Sequence, residues 1–379
     1  MTRASAPRAI VIGGSLGGLL AATTLRAAGW SADVFERSPS TLDSRGGGIV
    51  LQPDVLAAFR FAGVAQGETL GVRSGDRIYL DAGDRVVHRT FMPQTQTSWN
   101  MLHGAMHAAL SPGTVHAGER LVSFRENAGS VTALFESGRV ESADLLVGAD
   151  GSRSTVRGQL LPGHEPRYAG YVAWRGLVPE SQVSAPVAER LGDAFVFQQG
   201  DDHLLLEYLV PGEDGSLAEG RRRRNWVWYR RLDRDGLMRL LTGRDGRPHA
   251  LALPPGSAKA VDVAALHRAA EAHLAPSLQA LVLATEAPFV QAIVDLSLPR
   301  MRFGATVLIG DAAFVPRPHT AGSTAKAAAN ALSLARALDH GGRPTDDSLA
   351  LWEAEQLALG RAMGASGMAM GNRIMGLQS

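Results

Sequence analysis

The stretch Arg8-Ala-Ile-Val-Ile-Gly-Gly-Ser-Leu-Gly-Gly-Leu19 decides how the chain begins to fold. Its apolar run predicts a buried strand over 8–12, and the Ala- and Leu-rich residues after the glycines predict a helix over 19–28. A second strand is predicted over 31–36, which completes a strand-helix-strand unit. The glycines allow a tight turn and close packing of the helix on the strand. The stretch therefore matches the dinucleotide-binding fingerprint, with Ser15 in place of the usual second glycine.

This unit supplies the first candidate ligands of a bound dinucleotide. Free backbone amides and the helix dipole favour a phosphate at the start of the predicted helix. A carboxylate at the end of the second strand can accept hydrogen bonds from ribose hydroxyls. The candidate ligands are Gly13, Ser15, Leu16, Gly18 and Glu36. A purely structural glycine turn is the alternative interpretation.

Composition narrows the class of protein. The chain has 379 residues, of which 45% are hydrophobic and 20% charged, as in globular proteins of about two or three domains. Its 38 basic and 37 acidic side chains nearly balance, which argues against a nucleic-acid partner or an anionic membrane surface. The sequence has no cysteine, so thiolate metal sites and cysteine nucleophiles are excluded, and redox chemistry requires a borrowed cofactor. No spacing of His, Asp and Glu is typical of a metal site.

The apolar segments of the sequence are short. Residues 1–8 contain no apolar signal core, and the later apolar runs have the length of strands, well below the roughly 20 residues of a membrane helix. We therefore expect a cytoplasmic protein with no membrane partner. A helical tail is predicted over 347–375, and its four methionines from Met363 onward indicate packing in the core or in a homodimer interface.

Two further strands end in an acidic turn. A buried-type strand over 143–147 runs into Asp150-Gly151, and another over 305–309 runs into Gly310-Asp311. Open α/β sheets bind their ligands at the carboxyl ends of such strands. Either aspartate could instead be a turn or helix cap. Three strand ends of this kind in one chain favour a binding site.

The pattern predicts an α/β fold in which one domain is interrupted by another. Residues 1–72, 101–165 and 297–345 are predicted to form a Rossmann-like nucleotide-binding domain that is discontinuous in sequence. Residues 73–100 and 166–296 carry strands with tryptophan and tyrosine, and we expect an inserted mixed β-sheet that binds the substrate. Residues 346–379 are predicted to be the C-terminal helical tail.

In order and spacing, these motifs resemble the group A flavoprotein monooxygenases, the FAD-dependent aromatic hydroxylases. The resemblance covers nearly the whole chain. Ser15 in the fingerprint, Arg317-Pro-His319 and Tyr171-Val-Ala-Trp-Arg-Gly176 are similar to the branch that contains 2,6-dihydroxypyridine 3-hydroxylase. The chain departs from the family where a flavin-contacting arginine is usual, since it has Trp99-Asn100 at that point.

The resemblance implies how FAD would bind. Glu36 and Arg37 would hold the adenosine ribose, Asp150 would lie near the pyrophosphate, and Asp311 would bind the ribityl chain. Backbone groups on either side of the isoalloxazine ring would complete the site. The residues implied on these two sides and at the ribityl turn are Gly48, Ile49, Val50, Gly310, Ala321, Gly322, Ser323 and Thr324.

The resemblance also implies a reaction. FAD reduced by NAD(P)H would take up O2 as a flavin C4a-hydroperoxide and hydroxylate a small electron-rich aromatic or N-heteroaromatic ring, such as a phenol or hydroxypyridine. His319, just ahead of the flavin-facing loop, is the candidate catalytic base, and a structural histidine is the alternative. An epoxidase or reductase acting on a non-aromatic substrate, or a non-catalytic flavin-binding protein, are the other functions considered.

Lysine is rare in this chain. Only Lys259 and Lys326 are lysines among the 38 basic residues, and Lys326 falls just after the implied flavin loop, where the family usually has asparagine. We predict that Lys326 fixes that loop or the negative edge of the flavin. A lysine on the helix surface is the alternative.

Overall fold

The computed structural model describes residues 6–39, 47–64, 70–127, 129–338 and 346–377. Its strands are β1 Arg8–Ile12, β2 Ser31–Glu36, β3 Gly48–Val50, β4 Val72–Leu80, β5 Val86–Ser98, β6 Val115–Ala117, β7 Leu121–Asn127, β8 Ser130–Phe135, β9 Val140–Ala143, β10 Leu145–Gly148, β11 Arg167–Pro179, β12 Phe195–Gln199, β13 His203–Val210, β14 Arg223–Arg231, β15 Ala252–Leu253, β16 Phe289–Asp295, β17 Arg302–Phe303 and β18 Thr306–Leu308. Its helices are α1 Leu16–Ala27, α2 Pro53–Ala62, α3 Trp99–Ala108, α4 Thr155–Leu160, α5 Ala185–Leu191, α6 Arg234–Leu240, α7 Ala260–His273, α8 Pro276–Leu283, α9 Ser323–Ala337 and α10 Asp346–Met375.

The first sheet is built around the strand-helix-strand unit predicted at the start of the chain. Six strands lie in the order β17-β18-β10-β1-β2-β6, and all neighbours are parallel except β17 and β18. Strands β1, β10 and β18 are almost wholly buried, which suits the covered interior of a parallel sheet. The predictions of strands over 8–12 and 31–36 are confirmed.

Helices α1 and α9 pack together against this sheet through small residues. The Thr24 hydroxyl donates to the carbonyl of Ala331, and Leu19, Ala328 and Leu334 are buried in the same apolar core. Alanines at the contact let two helix backbones approach closely. As a result, the N-termini of both helices are held beside the sheet.

The second sheet has nine strands in the order β15-β16-β11-β14-β13-β12-β4-β5-β3, all antiparallel neighbours except β12 and β4. Because side chains alternate across a strand, it has two distinct faces. One face, with Trp174, Trp226 and Trp228, packs in a core with helices α6 to α8. The opposite face carries Tyr171 and Tyr229, and it is called here the tyrosine face. Three further strands form a small sheet in the order β7-β8-β9.

Helix α10 touches both large sheets. Leu349 and Trp352 near its start belong to the core of the first sheet, whereas Met375 at its end packs on the tyrosine face. The mixed α/β architecture with a long C-terminal helix confirms the predicted fold class. Strand β3, which precedes residue 72, pairs with β5 in the second sheet. In the described ranges, no helix has the length and apolarity needed to cross a membrane.

Candidate functional site

Four neighbouring strand ends form one edge of the first sheet. Strands β18, β10, β1 and β2 are adjacent and parallel, so their carboxyl ends lie side by side. The residues at or just beyond these ends are Gly310-Asp311, Asp150, Gly13 and Glu36. The structure therefore brings the predicted motifs to a common edge, where α/β sheets bind ligands.

The turn after β1 can be built only with glycine. Gly13 has φ of 109°, and a Cβ there would lie 2.5 Å from the carbonyl oxygen of Ala149. A Cβ on Gly18 would lie 1.8 Å from the carbonyl oxygen of Gly13, because α1 packs directly on the turn. Ser15 is the N-cap of α1 and makes no side-chain cap bond. The first-turn amides, starting at Leu16, thus remain available to an anion.

Glu36 faces this turn from the end of β2. Its carboxylate accepts hydrogen bonds from the backbone N–H of Gly14 and of Ser38, both at 2.8 Å. A cavity of about 310 Å³ opens beside it. The lining includes Gly13, Ser15, Glu36, Arg37, Trp99, Glu119, Asp150 and Thr155. Five residues predicted or implied as ligands therefore share one cavity.

The two carboxylate oxygens of Asp150, beyond the end of β10, have different surroundings. Its Oδ2 accepts from the backbone N–H groups of Thr155 at 2.7 Å and Val156 at 3.2 Å, as expected of a helix cap. Its Oδ1 is buried and has no hydrogen-bond partner among the described residues. Burial raises the pKa of this carboxyl. The unpartnered oxygen beside the cavity is a position for a donor from a ligand.

The turn at Gly310-Asp311 is held by helix α9. The Gly310 N–H donates to the buried Asn330 side chain at 2.9 Å. Lys326, only 1% exposed, donates to the Asp311 carboxylate and to the carbonyl of Phe314 at 2.7 Å. The alternative of a surface lysine is wrong, because Lys326 lies inside the fold and binds the acidic turn.

The remaining implied flavin contacts lie on two other segments. Ala321 has a positive φ of 52°, Gly322 is the N-cap of α9, and Ser323 and Thr324 form its first turn. Gly48, Ile49 and Val50 form β3 at the edge of the second sheet. Neither of these two segments is among the residues that line the 310 Å³ cavity. Residue 46, which begins the glycine run ahead of Ile49 in the sequence, is outside the described residues.

His319 lies in the short turn Pro318–Thr320, against the tyrosine face. Its Nε2 is 2.8 Å from the Tyr171 hydroxyl, and its ring centroid is 4.5 Å from that of Tyr229. Burial, helped by the nearby positive charge of Arg317, lowers the pKa of His319 to about 4. The imidazole is therefore neutral at neutral pH. Arg317 is itself held by Asp295 at 2.9 Å and by Asn372 of α10 at 2.7 Å.

Sequence reasoning missed several polar residues near these motifs. His103 contacts the carbonyl of Gly14 at 3.1 Å and stacks on Trp99, a cavity-lining residue. On the second sheet, Arg175 and Asn225 share the tyrosine face with Tyr171. The alternation of β11 and β14 could have shown which residues share a face, but it does not show which face meets the first sheet.

Comparison with known proteins identifies the family. The chain is 35% identical over 360 residues to the 2,6-dihydroxypyridine 3-monooxygenase of Paenarthrobacter nicotinovorans, covering 94% of this chain and 88% of that protein. The chain belongs to the FAD-dependent aromatic hydroxylases. Among solved structures of such hydroxylases, 2,6-dihydroxypyridine-3-hydroxylase from Arthrobacter nicotinovorans matches with a TM-score of 0.92 and 32% identity, over 100% of this chain and 95% of that one. The 6-hydroxynicotinate 3-monooxygenase of Bordetella bronchiseptica is 29% identical, over 89% of this chain and 84% of that hydroxylase.

These matches confirm the predicted family, its 2,6-dihydroxypyridine 3-hydroxylase branch, FAD as cofactor and a monooxygenase activity. A family model described as "FAD binding domain-like" matches residues 168–295. That range falls within residues 166–296, the segment for which the sequence predicts substrate binding.

The residues at the edge of the first sheet fit FAD. The open N-terminus of α1 suits a pyrophosphate, and the carboxylate of Glu36 keeps lone pairs for hydroxyl donors. The buried, unpartnered Oδ1 of Asp150 calls for a donor that the described residues do not supply. A cavity of about 310 Å³ lies within the range of small-molecule sites.

Proposed function

We propose that this chain hydroxylates a hydroxypyridine and uses NAD(P)H and O2 as co-substrates. Two relatives support the substrate class, since one is named a 2,6-dihydroxypyridine 3-monooxygenase and the other a 6-hydroxynicotinate 3-monooxygenase. The observation that carries the proposal is the position of His319, whose neutral imidazole lies between two tyrosines of the tyrosine face. A cytoplasmic location and a homodimeric assembly stay predictions from the sequence.

In this proposal, the first sheet and helix α9 hold the cofactor. The α1 N-terminus at Gly13, Ser15, Leu16 and Gly18 binds the pyrophosphate, with Asp150 nearby. Glu36 and Arg37 hold the adenosine ribose. The ribityl chain and the ring lie against the segments Gly310-Asp311, Ala321-Gly322-Ser323-Thr324 and Gly48-Ile49-Val50. FAD, when bound, supplies the activated oxygen for hydroxylation.

His319 orients the hydroxyl group of the substrate ring. In the tautomer whose Nε2–H donates to Tyr171, the Nδ1 lone pair is free to accept a hydrogen bond from that hydroxyl. The lowered pKa of His319 makes it a weak base, so it takes the proton only transiently. Partial proton transfer makes the ring more electron-rich, which is what electrophilic hydroxylation requires.

A coupled assay tests this function. The purified flavoprotein is mixed with NADH or NADPH and with 2,6-dihydroxypyridine, 6-hydroxynicotinate or phenol, and both NAD(P)H consumption and the hydroxylated product are measured. We expect a hydroxypyridine to accelerate NAD(P)H oxidation and to be hydroxylated. Oxidation that no hydroxypyridine accelerates, or that yields only H2O2, would contradict the proposal.

A further inference from the structure

Arg175 is a half-buried cation on the tyrosine face, and no other residue that the structure describes forms an ion pair with it. Strand β11 places it opposite Val227 of β14, beside the two tyrosines Tyr208 and Tyr229. Its Nε is buried and makes no hydrogen bond, and the described part of the chain supplies no carboxylate within ion-pair distance. Its guanidinium lies 5.9 Å from the Phe289 ring centroid. Cations that lose water inside a protein are ordinarily paired, so this one calls for an anionic partner.

Asn225 offers a second unpartnered donor close to Arg175. The side chain is fully buried, and its Oδ1 accepts from the Gly48 N–H at 2.8 Å, which fixes the direction of the amide. Its Nδ2 is then left buried with no partner among the described residues. A Cβ on Gly47 would lie 3.0 Å from Asn225 Oδ1 and 3.2 Å from an Arg175 Nη, so the two side chains meet at the same backbone.

The positive charge of Arg175 is available to stabilise an ionised aromatic ring. Burial raises the pKa of Tyr229 to about 12 and also raises that of Tyr208, while the positive charge of Arg175 acts in the opposite direction on both. The tyrosines are therefore neutral and cannot neutralise Arg175. The ring of Tyr229 also contacts the tilted ring of His319, so Arg175 and His319 lie around the same aromatic ring.

We propose that Arg175 and Asn225 form a subsite for an anionic oxygen on the substrate ring. This inference rests on the proposed function. His319 is too weak a base to hold the proton of a ring hydroxyl, so the ionised ring needs stabilisation from elsewhere. A guanidinium and an amide N–H that point to one oxygen supply it, because hydrogen bonds to charged groups are the strong ones. The subsite would select rings that carry an ionisable hydroxyl over neutral rings of the same shape.

Binding measurements on the FAD-loaded protein test the subsite. The dissociation constants of 2,6-dihydroxypyridine and 6-hydroxynicotinate are measured across pH from the perturbation of the flavin spectrum, for wild type and for Arg175→Gln. The variant should bind about 10- to 100-fold more weakly, the usual effect of one lost charged hydrogen bond. The gain in affinity that accompanies ionisation of the ligand should disappear with it. Arg175→Lys should recover part of the affinity.

Two further variants separate a subsite from a structural role. Asn225→Asp keeps an acceptor for the Gly48 N–H but replaces the donor with a negative charge, and it should weaken binding at least as much. Arg230→Gln is the matched control, since Arg230 lies on the adjacent strand and covers Trp228 on the opposite face of the sheet. Its affinity should stay within about twofold of wild type, as for surface changes away from the site.

Several results would overturn the subsite. These are an unchanged affinity in Arg175→Gln, an equal loss for the neutral and ionised ligand, or a matching loss of FAD affinity, which would assign Arg175 to the cofactor. Failure of the wild type to bind either probe would also overturn it. If wild type binds these probes in an Arg175-dependent way but hydroxylates none of them, the subsite stands and the proposed function falls.

Discussion

At the scale of single residues, His319 shows how burial sets the protonation of a candidate base. With a pKa lowered to about 4, the imidazole is neutral from pH 5 to 8, whereas an unperturbed histidine would lose its charge near pH 6.5. Protonation therefore removes the acceptor only below about pH 4. We expect kcat/KM for the hydroxypyridine to show no acid limb near pH 6.5, and a limb at that pH would contradict the role of His319.

Substitution of His319 tests the same role directly. His319→Gln should lower kcat/KM about 100-fold, the lower range for loss of a general base. His203→Gln is a control, because His203 is also buried but packs beside Trp228, away from the tyrosine face. Stopped-flow measurement of flavin reduction shows whether the loss lies in hydroxylation. An effect of equal size in both variants would indicate a general loss of structure.

Lys326 and Asp311 form an ion pair whose two side chains differ in burial. Lys326 is buried, while the Asp311 side chain is 43% exposed and can be hydrated when its partner is removed. Lys326→Met should therefore change the free energy of unfolding by at most about 1 kcal/mol, and Asp311→Asn should cost about 1–3 kcal/mol by leaving a buried charge unpaired. The double variant should be close to Lys326→Met in denaturant unfolding.

FAD affinity shows whether Lys326 also positions Asp311 for the cofactor. Without the lysine, the Asp311 carboxylate loses its fixed orientation, so Lys326→Met should weaken FAD binding by about tenfold. Titration of the apoprotein with FAD measures this loss. Unchanged affinity in Lys326→Met would assign Lys326 to the stability of the turn alone.

The residues of the substrate subsite illustrate the limit of sequence reasoning at this scale. Glycines, acidic strand ends and the histidine of the Pro-rich turn have recognisable contexts, so they could be predicted. Arg175 lies inside the stretch Tyr171-Val-Ala-Trp-Arg-Gly176, but the resemblance of that stretch to one branch of the family gives it no role, and Asn225 has no such context. What distinguishes each side chain is one buried nitrogen with no partner among the described residues. A missing partner is a property of tertiary packing, and no local pattern encodes it.

At the scale of elements, helix α10 approaches the site through glycines. A Cβ on Gly367 would lie 2.9 Å from the backbone nitrogen of Arg317, whereas a Cβ on Gly364 would meet nothing within 4 Å. Gly367→Ala should destabilise the fold by about 1–3 kcal/mol through overpacking, and Gly364→Ala should stabilise it by about 0.5–1 kcal/mol through helix propensity. Denaturant unfolding of the two variants gives the comparison, and equal effects would show that the helix does not press on Arg317.

Element bounds could be predicted from the sequence where a buried run ends at a turn, and less well where a side-chain cap sets the start of a helix. Strands β1 and β2 have their predicted bounds because each is a buried run that ends at a turn. Helix α3 begins at Trp99 because the Ser98 side chain accepts from the Met101 N–H and caps it. Single cap bonds of this kind move a helix start by a residue or two, and apolar periodicity does not reveal them.

At the scale of the whole molecule, the two large sheets carry different parts of the proposed active site. The first offers strand ends that fit FAD, and the tyrosine face of the second offers the proposed contacts to the substrate ring. The sequence predicts this division because one glycine fingerprint and two acidic strand ends surround an aromatic-rich segment. It did not show that α10 contacts both sheets, since a pattern rich in Ala and Met has no preferred partner.

The single glycine fingerprint predicts that FAD is bound more tightly than NAD(P)H. The sequence has no second glycine fingerprint that opens a strand-helix-strand unit, so NAD(P)H lacks a site of its own like that of FAD. We expect the purified protein to carry about one FAD per chain and no nicotinamide nucleotide, because the proposed pyrophosphate site at the N-terminus of α1 would be occupied by FAD. Heat release of bound nucleotides followed by chromatography measures both. Stoichiometric NAD or NADP in that extract would contradict transient binding and would require a second dinucleotide site elsewhere in the chain.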